Sequence, residues 1–216
     1  RIEVDGEFWK KILRESWVFA MLTIIAVFYM RMGIVVINNL KGPYYTGIYS
    51  SAFKFLEATL LIPQSFALAL FPQTARLLNE DKKRVGKNYI KSLGLIFLFS
   101  AFYTLIFWFF SPQIIKISYG KNYLGGVETM KGLGLVATLF FLNALPGNII
   151  QNTPLVKDFV WWLGGKFILH LGLCLLLIPK FSLVGAVLAL GISEFFGFLT
   201  NNGFVIKILR SKNGRY

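Results

Sequence analysis

Between Glu57 and Arg76 the chain runs for eighteen residues without a charge, ATLLIPQSFALALFPQTA. A helix of that length reaches ~27 Å at about 1.5 Å per residue, close to the ~30 Å hydrocarbon core of a bilayer. An earlier apolar run, FYMRMGIVVINNL, precedes it across the tight polar connection KGPYYTG. The pair predicts a membrane hairpin. Arg31 lies near the middle of the first run, and Lys54 and Glu57 stand three residues apart on one face of the second helix. Ions at such depth face a protein interior or an aqueous path rather than lipid.

Composition points the same way. Hydrophobic residues make up 56% of the chain and aromatics 17%, and mean hydropathy is +0.61, above the range of a soluble domain. The formal net charge of +13 is gathered in short connections between apolar runs. It does not follow a polar face interleaved with stacking aromatics, so the implied partner is the bilayer and not nucleic acid. Cys174 is the single cysteine and lies inside an apolar run, which leaves no disulfide framework and no paired-cysteine metal site. The chain opens on Arg1 with nothing resembling a signal peptide, and is expected to be a fragment of something longer.

Taken in order, residues 1–15 place Phe8, Trp9, Ile12 and Leu13 on one side of a helix, with Glu7, Lys10, Lys11 and Arg14 elsewhere. That pattern fits a cytoplasmic interfacial segment or an ordinary linker. An all-α lobe of six transmembrane helices is expected over 16–209, with spans at about 17–40, 48–78, 89–110, 128–151, 159–178 and 183–209. The second span exceeds what a bilayer needs, which predicts tilt, projection or a bend at Pro63 and again at Pro72. NEDKKRVGKNYIK is read as a loop, since it is too polar for hydrocarbon, and SPQIIKISYGKNYLGG as a longer connection on the far surface. Asn143, Pro146, Gly147 and Asn148 interrupt the fourth span, a polar cluster tolerated where helices pack or water enters. Gly185, Ala189, Gly191, Ser193 and Gly197 let neighbours approach the sixth closely. A basic cytoplasmic tail occupies 210–216.

Orientation follows from basic residues in the connections. Assigning alternate connections to opposite sides places fifteen lysines and arginines on one side against four on the other, Lys41, Lys116, Lys121 and Lys180. The rich side is cytoplasmic by the positive-inside rule, so both ends face the cytoplasm.

Several polar residues in the apolar runs are candidates for function. Ser50, Lys54, Glu57 and Gln64 form one stripe at near-heptad spacing, expected to look into the bundle or a cavity. Lys166 and His170 stand four apart on one face and could couple transport to a proton, or could be satisfied packing residues. Glu194 is expected to pair with one of them, or else to carry the coupling proton itself. Lys131 is close enough to its helix end to snorkel to water. The bases between Asn79 and Lys91 either bind anionic headgroups or simply set topology. Neither Gly132 and Gly134 nor Gly164 and Gly165 lead into the Gly-Lys-Ser/Thr of a phosphate-cradling loop, and no nucleophile-base constellation is present. No cofactor is implied, and the chain is not expected to be an enzyme.

The stretch YMRMGIVVINNLKGPYYTGIYSSAFKFLEATLLIPQSFALALFPQTARLL resembles the seventh and eighth helices of the polysaccharide transporters in the multidrug/oligosaccharidyl-lipid/polysaccharide exporter superfamily. Tyr29, Arg31, Gly47, Tyr49, Ser50, Pro63, Phe71, Pro72 and Arg76 match the family pattern; Gly33 departs from it, standing where an acid is usual. LLLIPKFSLVGAVLALGISE is similar to the family's eleventh-to-twelfth helix segment. The resemblance implies the C-terminal lobe of a twelve-helix, two-lobe transporter of the cytoplasmic membrane, with a missing N-terminal lobe as partner in the same or a second chain. It also implies flipping of a polyprenyl-pyrophosphate-linked glycan by alternating access. A pyrophosphate needs cations in a hydrated cavity, and Arg31, Lys54 and Lys166 are the candidates, Arg31 alternatively forming a structural ion pair with Glu57 on the neighbouring helix. Alternatives are a flippase for a lipid-linked peptidoglycan precursor, a cation-coupled multidrug exporter of the same superfamily, and a non-transporting half-length partner. A membrane enzyme acting on lipid-linked sugars would call for a large outward loop, and the outward loops read here are short.

Overall fold

A computed structural model describes residues 6–211, apart from the side chains of residues 8–11 and 13–15. The described chain leaves the helical state only briefly. α1 spans Gly6–Lys41, α2 Pro43–Glu80, α3 Lys82–Tyr119, α4 Val127–Gln151 and α5 Val156–Arg210, with a 3-10 turn at Lys121–Gly126 before α4. No strand occurs among the described residues. All five α-helices are long and apolar enough to cross a membrane.

The breaks have local causes. Gly42 has φ +84°, a conformation that only glycine adopts without strain, and Pro43 follows where a missing N–H is harmless. Asp81 caps α3 by accepting a hydrogen bond from the Arg84 amide at 3.0 Å. Gly120, at φ +85°, ends α3.

Two expected connections are corrected by this arrangement. The charged stretch after Leu78 is not a loop but the abutting ends of α2 and α3, separated by Asp81 alone. Its bases lie on a helix that projects beyond the apolar region: α3 has 38 residues, ~57 Å of helix against ~30 Å of hydrocarbon. Likewise the helix continues through Ser111 to Tyr119, so the far connection is short. Nor is α4 interrupted at Asn143–Asn148; it is helical throughout, and its asparagines are satisfied by neighbouring helices. α2 is also continuous through Pro63 and Pro72.

The sequence predicts separate fifth and sixth spans, whereas one helical run of 55 residues is found, carrying non-helical backbone at Ser182, φ 53° and ψ −130°. Straight, it would measure ~82 Å. It folds back instead: Lys166 Nζ lies 2.6 Å from Glu194 Oε1, although 28 residues separate them. A Cβ on Gly185 would lie 2.3 Å from the Leu177 carbonyl oxygen, so the returning arm can start this close only on glycine.

The helices therefore run up and down between two ends. At one, Lys41 Nζ donates to the Pro179 carbonyl at 3.2 Å and Ile48 packs beside Gly125 and Gly126. At the other, Lys82 Nζ donates to the Ser211 carbonyl at 2.9 Å and Leu209 packs beside Gly86. α4 is central, in contact with α2, α3 and α5. The backbone is helical from Gly6 onward, continuous with α1; the interfacial pattern of residues 1–15 rests mostly on side chains outside the described residues, as does the basic tail beyond Ser211.

Candidate polar sites on the two faces of α1

Tyr29 and Arg31 are two residues apart, which on a helix turns their side chains about 200° from each other. Tyr29 is buried, Arg31 exposed, and each anchors a separate polar cluster.

The inner cluster centres on Glu194, whose side chain is 1% exposed. Its Oε1 accepts from Lys166 Nζ at 2.6 Å and from Tyr29 Oη at 2.7 Å, and its Oε2 accepts from Asn143 Nδ2 at 2.8 Å. Asn201 Nδ2 in turn donates to Asn143 Oδ1 at 3.0 Å. The Lys166 ammonium also sits 4.7 Å from the centre of the Tyr29 ring. Its stem lies on Gly197, where an added Cβ would meet Nζ at 2.9 Å. His170 is buried with its ring centroid 4.7 Å from that of Tyr29, and its Nδ1 is 3.4 Å from Ser193 Oγ. α1, α4 and both arms of α5 thus meet on one carboxylate. A buried charge is tolerable only when paired and hydrogen-bonded, and Glu194 is both, with a donor on each oxygen.

The outer cluster lies on α1 and α2. Arg31 Nη2 is 2.8 Å from Glu57 Oε1, and Lys54 Nζ is 3.1 Å from Glu57 Oε2. Here the side chains of Arg31 and Lys54 are 47% and 60% exposed. Arg31 and Glu57 line an open groove of about 490 Å³ together with Met30, Thr23 and Gln151. Lys54 stands on the other oxygen of Glu57, outside the lining of the groove, so two cations share one carboxylate at its edge.

The structure therefore brings Arg31, Lys54 and Glu57 together and places Lys166, His170 and Glu194 in a different cluster behind α1. Lys166 is 8% exposed, and its charge is met by Glu194. The stripe of Ser50, Lys54, Glu57 and Gln64 lies on the open face of α2, with Lys54 and Gln64 exposed, and not inside the bundle. Lys131 pairs with Glu128 at 2.8 Å and lies 5.8 Å from the Trp108 ring centre near the end of α4.

Reading the sequence missed the role of Asn143 and Asn201 as partners of the ion pair. Their signal was available: an amide in an apolar helix needs a partner, and both sit on helices that also carry small residues.

The family model described as "Polysaccharide biosynthesis protein" matches residues 1–128. A protein of Shigella flexneri named as an O-antigen transporter is 26% identical over 157 residues, covering 71% of this chain and 37% of its own length. A capsular polysaccharide biosynthesis protein of Staphylococcus aureus is 26% identical over 180 residues, covering 81% and 44% respectively. An uncharacterised membrane protein of Methanocaldococcus jannaschii is 24% identical over 218 residues, covering 94% and 41%. The chain thus spans less than half the length of these relatives. No solved structure matches it significantly.

Proposed function

The chain belongs to the polysaccharide biosynthesis protein family, and on that premise we propose that it supplies one lobe of a flippase for lipid-linked oligosaccharides. It is a multi-pass helical membrane protein, and we read the fold-back at Ser182 as the turn between a fifth and a sixth span. In this reading both ends are cytoplasmic, and the second lobe covers the open face of α1 and α2.

The observation that carries the proposal is the exposure of Arg31 and Lys54 on long apolar helices, both paired with Glu57. Exposed guanidinium and ammonium groups there are highly unfavourable against hydrocarbon, so the face they occupy borders water or protein. A groove lined by Arg31, with Lys54 beside it on the same carboxylate, suits a substrate with a phosphate anion, which guanidinium engages through paired hydrogen bonds. Glu57 holds Arg31 in place until a pyrophosphate competes for it. Access alternates as the two lobes rock about the groove, while the inner cluster keeps α1, α4 and α5 moving as one body. The name of the Shigella flexneri relative, an O-antigen transporter, supports the same class of substrate.

The test is Arg31→Ala in the complete protein. Loss of surface polysaccharide with normal membrane abundance is expected; normal export at normal abundance would remove Arg31 from the substrate path.

A further inference from the structure

The cleft between α2, α3 and α4 at the Asp81 end is not used by the transport reading. It has a volume of about 160 Å³, similar to the ~150 Å³ cavity that holds a benzene-sized guest, and so is too small for a glycan repeat unit. Its lining divides by chemistry. Gln73, Asn88, Lys91 and Ser92 supply polar groups, while Leu70 and Leu145 form an apolar wall. No acidic residue lines it.

Two features separate this cleft from an ordinary seam between helices. Two of its polar members are committed: Tyr89 donates to Asn202 at 2.6 Å and Asn148 to the Ala67 carbonyl at 2.5 Å. Lys91, Asn88 and Gln73 have no hydrogen bond or ion pair to any described residue. The cleft also lies at a defined depth. Lys91 is the last charge before the 24 uncharged residues Ser92–Ile115, ~36 Å of helix, and Arg76 ends the uncharged run of α2 beside Gln73 and Leu77. The boundary between hydrocarbon and headgroups therefore passes through it. Lys83, Lys87 and Lys91, spaced four apart, form an unpaired stripe on α3 that leads from the helix end to its mouth.

We propose that this cleft binds an anionic phospholipid, with the phosphate on Lys91, Asn88 and Gln73 and the first part of an acyl chain against Leu70 and Leu145. An ammonium and amide donors with no protein acceptor, set at phosphate depth, match a phosphodiester. The apolar wall selects a lipid over free phosphate. The site stands independently of the transported substrate.

The experiment is native mass spectrometry of the full chain in neutral detergent, with phosphatidylglycerol, phosphatidylcholine or inorganic phosphate added. Phosphatidylglycerol should be retained roughly tenfold better than phosphatidylcholine, and Lys91→Gln should remove most of that preference. Lys83→Gln takes away the same charge outside the cleft and should lower retention only about twofold. Lys91 is exposed and unpaired, so folding is unaffected by its replacement. Equal losses in the two variants, or no preference between the lipids, would overturn the site. Displacement of phosphatidylglycerol by millimolar inorganic phosphate would overturn the lipid assignment.

Discussion

α1 divides two ion-pair clusters that are alike in composition and opposite in environment. Behind it, one lysine meets one glutamate, and Tyr29 and Asn143 donate to the same carboxylate, so that both of its oxygens are hydrogen-bonded. In front of it, Arg31 and Lys54 share Glu57 beside an open groove, with room for another anion. The inner pair is closed because burial leaves an unpaired charge no alternative partner; the outer is open because its surroundings can hydrate it. Charge in a membrane helix thus marks either a joint or a path, and burial distinguishes them.

The contrast can be tested by substitutions that should affect one side only. The largest effect is expected from Gly185→Ala. The new methyl meets backbone that cannot yield, so the arms of α5 separate and Lys166 loses Glu194; destabilisation above about 4 kcal/mol, seen as loss of folded protein in detergent gel filtration, is expected. Glu194→Ala leaves the Lys166 ammonium buried without a counter-charge and should cost about 3–5 kcal/mol in thermal unfolding. Adding Lys166→Met to Glu194→Gln should recover much of the loss of Glu194→Gln alone, because no buried charge remains. If the double variant is as unstable as the single, the inner cluster is not held by the pair.

Smaller effects follow. Gly197→Ala pushes on the flexible end of Lys166 rather than on backbone, and about 1–3 kcal/mol is expected by the same assay. Arg31→Ala breaks the outer pair where water can replace it, so less than about 1 kcal/mol should be lost even though transport fails. A large loss of stability there would make the outer cluster a second joint. Ser182→Gly should stabilise by about 1 kcal/mol, since φ 53° is strained for serine and free for glycine.

The amino-acid sequence by itself determined the membrane class, most helix positions and the short set of candidate partners for each central carboxylate. Charge-free runs of eighteen or more residues admit little else, and an acid buried in an apolar helix calls for a base or another hydrogen-bond donor. Glu57 was legible as one candidate partner of Arg31, and Lys166 and His170 as the candidates for Glu194; the structure selects Glu57 for Arg31 and Lys166 for Glu194. The charged ends of α2 and α3 were misread as a loop because polarity reports distance from hydrocarbon, not loss of helix. What only the tertiary structure decided is which cations belong together. Arg31 and Lys166 look equivalent along the chain, yet Tyr29 and Arg31 point to opposite faces of α1, and Ser182 folds α5 back to deliver Glu194 to one of them. Helical phase and long-range chain reversal set that outcome, and neither can be counted from residue spacing within a single run.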